Sequence, residues 1–380
     1  MRPTWAVIDI DAFVHNIAVA KKLAGGAEII AVLKADAYGH GLEKMCRAAE
    51  GSGLVAKIAL TSVEEAMRVR SQGVKCPIVL LEGCFEKNEI YWCLHNNVEL
   101  VFHSAYQFDY LAQAYEVAAS ERKSTTEVLP KCRLWVKVNT GMNRLGFSLE
   151  EAKDWLDKVP QLPYVELVGT LMHFACADEV ESESAQNQLE LYQQFLLQAP
   201  GSGCKSALNS AALSRTPELA FDAVRPGVML YGSSPLLDKT AKELGLKPVM
   251  HLLSRVIAIR EINDGDEVGY GATWMAKRSC RMAVVAIGYA DGYPRHASNL
   301  ASVAVNGVVV PVIGRVSMDM ITIDVSSVKD IAIGDEVELW GANIAVADVA
   351  TLSGTISYEL LTGITSRVPR FYRQGGKELV

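Results

Sequence analysis

The chemically most informative residues stand at the ends of short apolar runs. Lys34 follows the run AEIIAVL at residues 27–33, and Lys137 lies near the end of the run at 133–138. Burying an ammonium group beside an apolar strand is costly unless the charge is paired or neutralised. Such an amine suits a Schiff base with an aldehyde cofactor, whereas a surface lysine just beyond a strand is the plain alternative.

Polar groups of other kinds follow three later apolar runs, and they are His173, Asn209, Ser210 and Arg225. Arg225 precedes Pro226 and Gly227, and the bare N–H of a glycine can meet a phosphate closely. The Ser210 hydroxyl could serve the same phosphate. A surface ion pair and an ordinary turn explain these features equally well when each is taken alone.

Eight short apolar runs must position these groups, at residues 27–33, 54–60, 77–81, 98–102, 133–138, 165–172, 205–209 and 222–225. Runs of this length and composition are typical of strands buried on both faces. Helical patterns separate them, two of which begin at the capping-box sequences Ser62-x-x-Glu65 and Ser148-x-x-Glu151. We predict an α/β fold with an N-terminal (β/α)8 TIM-type barrel over residues 1–238. An open doubly wound sheet is the competing topology.

The pattern changes after about residue 240, where strand-like runs follow one another without a long helical pattern. These runs lie at 282–287, 303–310, 321–325 and 336–340. Asn306-Gly307 is a strong signal for a tight hairpin turn. We therefore predict that residues 239–380 form a separate, mostly β domain.

The composition excludes several classes of protein. The 380 residues carry 37 Lys+Arg and 44 Asp+Glu, hence a net charge of −7, and half of them are hydrophobic. This composition argues against disorder and against a nucleic-acid or membrane partner. Eight cysteines without a Cys-x-x-Cys pair predict reduced thiols in a cytoplasmic protein. No spacing of potential ligands suggests a metal site.

Taken together, the motifs resemble those of a known family. The matching segments are AVLKADAYGHG (31–41), VKVNTGMNRLGF (136–147), GTLMHFACADE (169–179), LNSAA (208–212), VRPGVMLYG (224–232), VGYGATW (268–274), IGYADGYPR (287–295), IGRVSMDM (313–320) and ISYELLTGITSRVPR (356–370). In this order, and over nearly the whole chain, they resemble the alanine racemases. These are pyridoxal-5′-phosphate enzymes of fold type III.

The resemblance implies a reaction and an assembly. Lys34 would carry the cofactor as a Schiff base and act on one face of alanine, and Tyr270 would act as acid or base on the other. In the family this tyrosine comes from the partner subunit, so a homodimer with shared active sites is expected. Met318 matches a partner-chain contact with the substrate carboxylate.

The resemblance also implies a set of cofactor-binding residues. The residues that match the phosphate-binding set are Tyr38, Ser210, Gly227, Val228 and Tyr358, with Asn209 beside them. His173 and Arg225 match residues that line and tune the cofactor, and Arg144 matches one beside its phenolic oxygen and the substrate. Lys137 matches a lysine that is often carbamylated.

The roles implied for Tyr270, His173 and Arg225 have chemical requirements. Using a tyrosine with a pKa of ~10 as a base at pH 7 costs about 4 kcal/mol unless the site lowers that pKa. A hydrogen-bonded pair of His173 and Arg225 is one hypothesis for the positive charge that would lower it. An arginine at the cofactor nitrogen, where many such enzymes place a carboxylate, should suppress transamination.

Three residues depart from the family pattern, so strict preference for alanine as the substrate does not follow from the resemblance. They are Asn139, Ser317 and Met320. Serine is therefore an alternative substrate, since an apolar pocket rejects an added hydroxyl weakly. A decarboxylase of the same architecture should have an acidic residue in place of Arg225 and a late catalytic cysteine. A non-enzymatic cofactor carrier should lack the domain that holds Tyr270.

Overall fold

A computed structural model describes residues 2–120 and 129–379 of the chain. The strands of the first part are β1 (Thr4–Asp9), β2 (Glu28–Val32), β3 (Lys57–Leu60), β4 (Ile78–Leu80), β5 (Val98–Phe102), β6 (Cys132–Lys137), β7 (Val165–Leu171), β8 (Cys204–Asn209) and β9 (Ala223–Arg225). The helices between them are α1 (Ile10–Ala24), α2 (Lys34–Gly39), α3 (Leu42–Gly51), α4 (Val63–Ser71), α5 (Lys87–His95), α6 (Tyr106–Ser120), α7 (Leu149–Lys158), α8 (Glu183–Gln198) and α9 (Ser210–Arg215).

Strands β2 to β9 form a closed parallel barrel in which β9 pairs back onto β2. Each barrel strand corresponds to one of the eight predicted runs, so the barrel prediction is confirmed and an open sheet is excluded. The apolar runs are explained by burial on two sides, because the strands face the barrel interior and the surrounding helices. Parallel strands also bring all their carboxyl ends to one mouth.

The second part consists mainly of strands, as predicted. They are β10 (Met250–Ile262), β11 (Glu267–Val268), β12 (Trp274–Met275), β13 (Cys280–Val285), β14 (Ser302–Val305), β15 (Val308–Pro311), β16 (Ile321–Asp324), β17 (Glu336–Trp340), β18 (Arg370–Gln374) and β19 (Lys377–Leu379). Two short helices, α10 (Val346–Leu352) and α11 (Ser357–Thr362), lie among them. Nine strands share one sheet with the path β15-β14-β17-β10-β1-β18-β19, while β13 branches from β10 and β16 pairs with β13.

The first strand of the chain belongs to this second sheet. β1 pairs antiparallel with β10, with Thr4 opposite Ser254, and parallel with β18, with Ala6 opposite Arg370. Its alternating burial is that of a strand in a sheet, but alternation alone does not reveal which strand is its partner. The domain boundary between residues 238 and 239 stays a prediction. That prediction did not anticipate that β1, at the start of the chain, pairs with strands of the second part.

Local signals in the sequence specify local structure well. Asn306 and Gly307 both have positive φ, 51° and 77°, in a two-residue turn between the paired residues Val305 and Val308. Ser148 and Glu151 form the predicted capping box at the start of α7. At α4, Ser62 caps the helix, but the Glu65 carboxylate accepts from Thr61 N–H instead of Ser62 N–H.

A buried carboxylate ties three barrel strands together. Glu99 on β5 is fully buried and accepts from Lys57 Nζ at 2.8 Å and from Trp135 Nε1 at 2.7 Å, and Arg133 lies 2.8 Å away. Removing one member of such a group leaves charges without their partner. Within the described residues, no helix is both long and apolar enough to cross a membrane.

Glu99→Ala is expected to lower the free energy of unfolding by about 3 kcal/mol, because it leaves the nearly buried ammonium of Lys57 without its carboxylate partner. Glu166→Ala is the matched control, since Glu166 is exposed and lies 3.8 Å from Arg133, which also pairs with Glu99. Its loss should stay below about 1 kcal/mol. Urea denaturation followed by circular dichroism measures both. Equal losses would contradict a special role for Glu99.

Candidate active site

The barrel mouth gathers the predicted polar residues from across the sequence. Lys137, Asn209 and Arg225 are the last residues of β6, β8 and β9, while Lys34 and His173 each lie two positions beyond their strands. The charges of Lys34, Arg225 and Arg144 all act on His173 and on Lys137. The structure therefore brings these groups into one electrostatic cluster.

The short element α2, which follows β2, is a left-handed turn and not a right-handed helix. Ala35, Asp36, Ala37 and Tyr38 have φ of 53–54° and ψ of 41–56°. This conformation costs about 1–2 kcal/mol for each residue that carries a Cβ. Consecutive residues of this kind persist only where the surroundings hold them, and such strain clusters at functional sites. The turn starts directly after Lys34 and ends by burying the ring of Tyr38.

Hydroxyl groups converge around Gly227. A Cβ on this glycine would lie 2.6 Å from the Tyr38 hydroxyl, and Gly227 N–H donates to Ser210 Oγ at 2.7 Å. Among the described residues the Tyr38 hydroxyl has no hydrogen-bond partner, and the Tyr358 ring lies 5.9 Å from the Tyr38 ring. Burial raises the pKa of Tyr38 and raises that of Tyr358 to about 12. Both are therefore protonated donors at neutral pH.

Arg225 is a buried cation held by neutral groups. It is 5% exposed and donates to Ser206 Oγ at 2.6 Å, to Ala207 O at 3.3 Å and to Met172 O. Among the residues that the structure describes, no carboxylate pairs with it. Burial lowers the pKa of Arg225 to about 10, so the guanidinium stays charged at neutral pH and its positive field is uncompensated.

His173 differs from our hypothesis. Burial, followed by the charges of Arg225 and Lys137, lowers the pKa of His173 to about 3. The imidazole is therefore neutral at pH 7. The hydrogen bonds of Arg225 go to the groups named above and not to His173, because two neighbouring carbonyls and a hydroxyl lie within its reach. Positive charge at this site comes from the arginine and lysines, not from a histidine–arginine pair.

Lys137 lies deep in the same cluster. It is 8% exposed, and burial together with Arg225 and Arg144 lowers its pKa to about 8. The negative charge of Glu82 acts in the opposite direction and raises the pKa of Lys137. An ammonium group here is disfavoured, whereas a neutral amine or an anion derived from it would be stabilised.

Arg144 is exposed in the loop that follows β6. Asn139 shapes this loop, because its Oδ1 accepts from Gly141 N–H at 3.1 Å and from Asn143 N–H at 3.0 Å. An aspartate could accept the same two bonds. The substitution at this position therefore removes a charge and leaves the turn intact.

Tyr270 and Met318 occupy the second part of the chain. The Tyr270 side chain is 71% exposed, on a short turn between β11 and β12 in which Gly269 and Gly271 have positive φ. Met318 is 53% exposed and Met320 44%, while Ser317 is half-buried and donates its N–H to Met320 O. Side chains this exposed are available to another molecule.

Sequence reasoning missed residues that support the site from behind. Tyr231 is buried, its ring stacks 4.6 Å from the Tyr38 ring, and its hydroxyl donates to Val32 O at 3.1 Å. The His40 ring also packs against Tyr231, with 4.7 Å between the ring centroids. Both lie inside segments that carried the resemblance, AVLKADAYGHG and VRPGVMLYG. The family motifs therefore included these residues, but their positions in the sequence did not reveal that they support Tyr38.

The mouth of the closed parallel barrel holds a lysine that follows a strand, a group of hydroxyls around Gly227 and an arginine without a carboxylate partner. These features define a barrel enzyme with a nucleophilic amine at its mouth. The family model of the alanine racemase N-terminal domain matches residues 8–235, and that of the C-terminal domain matches residues 249–372. The chain therefore belongs to the alanine racemase family, and it is an isomerase.

Relatives match this chain over nearly their whole length. An alanine racemase of Hahella chejuensis is 45% identical over 98% of each chain, and one of Marinobacter nauticus is 42% identical over 98% of this chain and 99% of its own. The crystal structure of the biosynthetic alanine racemase from Pseudomonas aeruginosa has a TM-score of 0.90 at 40% identity, covering 98% of this chain and all of that one. The alanine racemase structure from Acinetobacter baumannii gives 0.89 at 38% identity over the same shares.

Proposed function

We propose that this enzyme interconverts L- and D-alanine with pyridoxal 5′-phosphate, using Lys34 and Tyr270 on opposite faces of the substrate. One observation supports the proposal above the others. The amine of Lys34 and the hydroxyl cradle at Gly227 lie at the same barrel mouth, in a chain that matches the family end to end. An amine beside a phosphate cradle suits an aldehyde that also carries a phosphate.

The residues present fit this cofactor. The groups we assign to its phosphate are the hydroxyls of Tyr38, Ser210 and Tyr358 and the backbone at Gly227 and Val228, with Asn209 fixing the start of α9 through its bond to Ala212 N–H. A Cβ at Gly227 would fill the space beneath the Tyr38 hydroxyl. When bound, the cofactor supplies an electron-withdrawing ring that acidifies the Cα proton of the substrate.

The cationic residues would tune this chemistry. We assign Arg225 to the pyridine nitrogen, neutral His173 to the ring and Arg144 to the phenolic oxygen and substrate. A guanidinium does not deliver a proton to that nitrogen, since it stays charged at the pH of the reaction. With Arg225 at this position the bound cofactor would take less negative charge into its ring, which would suppress transamination relative to racemisation.

Racemisation requires a proton to leave one face of Cα and another to arrive at the opposite face. Lys34 Nζ would hold or donate the proton on one face and the Tyr270 hydroxyl on the other. The positive field of Arg225 would favour an anionic oxygen brought to this mouth and so lower the free-energy cost of a tyrosine acting as a base there. Neutral His173 contributes no charge to that field.

We propose that Tyr270 and Met318 act in the active site of a partner subunit, within a homodimer. Their exposure in the single chain supports this assignment. Residues 239–380 would then form the unit that completes the partner's barrel mouth.

Complementation tests the proposed function directly. Lys34→Ala and Tyr270→Phe subunits, carrying different affinity tags, are co-expressed and the heterodimer is purified. In the heterodimer one of the two sites combines an intact lysine with an intact tyrosine, so about half of the wild-type activity is expected while each homodimer stays nearly inactive. An inactive heterodimer would contradict shared sites.

Alanine is the proposed substrate. The relatives compared above are named alanine racemases, which does not favour the serine alternative, although Asn139, Ser317 and Met320 remain departures from the family pattern. A circular-dichroism racemisation assay on a panel of L-amino acids measures the preference. A higher kcat/KM for serine than for alanine would contradict the proposal.

We propose a reducing compartment, the cytoplasm, as the location of the enzyme. All eight cysteines are free, including Cys84 and Cys93, whose sulfur atoms lie 3.7 Å apart. Thiols that close stay unjoined under reducing conditions.

Lys137 Nζ is expected to attack CO₂, which forms the N–C bond of a carbamate and releases one amine proton to solvent. Its pKa of about 8 leaves roughly a tenth of the amine neutral at pH 7, and only the neutral amine attacks CO₂. The anion formed turns repulsion from Arg144 and Arg225 into attraction. A carbamate signal in ¹³C NMR with labelled bicarbonate should grow as pH rises through 8 and disappear in Lys137→Gln. An unchanged spectrum with labelled bicarbonate would rule the modification out.

A further inference from the structure

We infer that His40 is a positioning residue that holds the left-handed turn after Lys34, and with it the Tyr38 hydroxyl, in the geometry that binds the cofactor. The inference rests on the proposed function and adds to it a residue outside the reacting groups. It starts from a buried histidine whose side chain bonds to the turn itself.

The ring of His40 is fully buried and faces two carbonyl groups of the turn. Its Nδ1 lies 2.8 Å from Tyr38 O and 3.0 Å from Ala37 O. Carbonyls accept, so Nδ1 must carry the proton and donate to both. Burial lowers the pKa of His40 to about 4, which keeps the ring neutral and leaves one proton to place. The donor therefore binds the two residues that end the left-handed segment.

The other nitrogen of the same ring argues for a specific role. Among the described residues, buried His40 Nε2 has no hydrogen-bond partner. An unpaired buried acceptor is unfavourable, so an apolar side chain would suit this place better if only packing mattered. What a histidine provides here is the Nδ1–H donor, and that donor is used on the turn.

Aromatic packing fixes the donor relative to the site. The His40 ring lies 4.7 Å from the Tyr231 ring, and the Tyr38 ring lies 4.6 Å from the same Tyr231 ring. Tyr231 also donates to Val32 O, two residues before Lys34. The stack therefore connects the strand that leads to the lysine with the tyrosine that faces Gly227.

The second part of the chain fixes the far end of the turn. Arg370 Nε donates to Gly39 O at 3.2 Å and Tyr372 donates its hydroxyl proton to His40 O at 3.1 Å. A Cβ on Gly39 would lie 2.2 Å from Leu361 O, so the backbone of Gly39 packs directly against the backbone of α11. These contacts hold the end of the left-handed segment in place. The hydrogen bonds from the His40 side chain then stabilise the segment itself.

The experiment compares His40→Leu with His40→Asn in the full-length protein. Leucine removes the donor and keeps an apolar side chain of similar reach, whereas the asparagine amide places an N–H close to the position of Nδ1. Three quantities are measured: the cofactor Kd by fluorescence, the yield of borohydride-reduced cofactor on Lys34 by mass spectrometry, and racemisation at saturating cofactor.

We expect His40→Leu to weaken cofactor Kd at least tenfold and lower kcat at least tenfold, with KM for alanine within twofold of wild type. His40→Asn should stay within threefold of wild type in cofactor Kd and kcat. A merely structural role would instead lower the thermal midpoint of the cofactor-free protein in both variants and leave the cofactor Kd unchanged. That result would overturn the inference.

A second variant covers the case in which His40→Leu does not fold. His40→Gln keeps a polar side chain but places its amide one bond too far, so the same losses in cofactor Kd and adduct yield are expected. Wild-type values for His40→Gln would overturn the inference alone. A wild-type protein that forms no adduct at Lys34 would instead remove the proposed function, and the inference with it.

Discussion

Lys34→Ala is expected to lower racemisation by more than about 10⁴-fold, the largest effect of any single change in this chain. The substitution removes both the covalent attachment of the cofactor and the proton carrier on one face of the substrate, and each alone is worth several orders of magnitude. Racemisation is measured by circular dichroism in both directions, and covalent attachment by the absorbance band of the bound cofactor near 420 nm.

Cofactor binding separates this loss from misfolding. The hydroxyls around Gly227 and the Arg225 guanidinium remain in Lys34→Ala, so reversible cofactor binding should persist with a weaker Kd. Lys153→Ala, on the exposed face of α7, is the matched control and should behave as wild type. Activity of Lys34→Ala within a hundredfold of wild type would show that another amine does the chemistry.

Tyr270→Phe is expected to lower racemisation about 10²–10⁴-fold in both directions, since each direction uses the phenol once, as base or as acid. The amine on the other face is untouched. One enantiomer should therefore still exchange its Cα hydrogen for deuterium in D₂O without being converted, while the other enantiomer exchanges no faster than background. Proton NMR of each enantiomer during incubation distinguishes the two.

Tyr289→Phe provides the control for Tyr270→Phe. Tyr289 is also an exposed tyrosine of the second part, at 41% against 71% for Tyr270. Loss of its hydroxyl should change kcat less than threefold. Equal exchange of both enantiomers by Tyr270→Phe would mean that a different group serves the second face, and the two-base proposal would then be wrong.

Much of the fold follows from the pattern of the sequence. Eight apolar runs separated by helical patterns predicted the eight barrel strands, because strands buried on two faces need continuous apolar residues. Only the pairing of β9 with β2 excluded an open sheet. The hairpin at Asn306-Gly307 followed for an equally local reason, since few residues adopt positive φ at two successive positions. The placement of Lys34, Lys137 and Arg225 at one mouth needed only the parallel direction of the strands.

Other features depended on contacts between distant segments. The pairing of β1 with β10 joins residues about 250 positions apart, and nothing local to Thr4–Asp9 identifies that partner. The neutrality of His173 reflects burial among four cations that come from three separate segments of the chain. The support of Tyr38 by Tyr231 likewise exists only after the barrel has closed.

The sequence alone determined the eight strands with helical patterns between them, the mainly β second part, the family and the lysine at a strand end, because these depend on side-chain type and local periodicity. That the eight strands close into a barrel was decided by the tertiary structure. The tertiary structure decided the left-handed turn at Ala35–Tyr38, the neighbours of Arg225 and the exposure of Tyr270. A strained backbone or a shifted pKa is set by whatever surrounds it, and those surroundings are assembled from the whole chain.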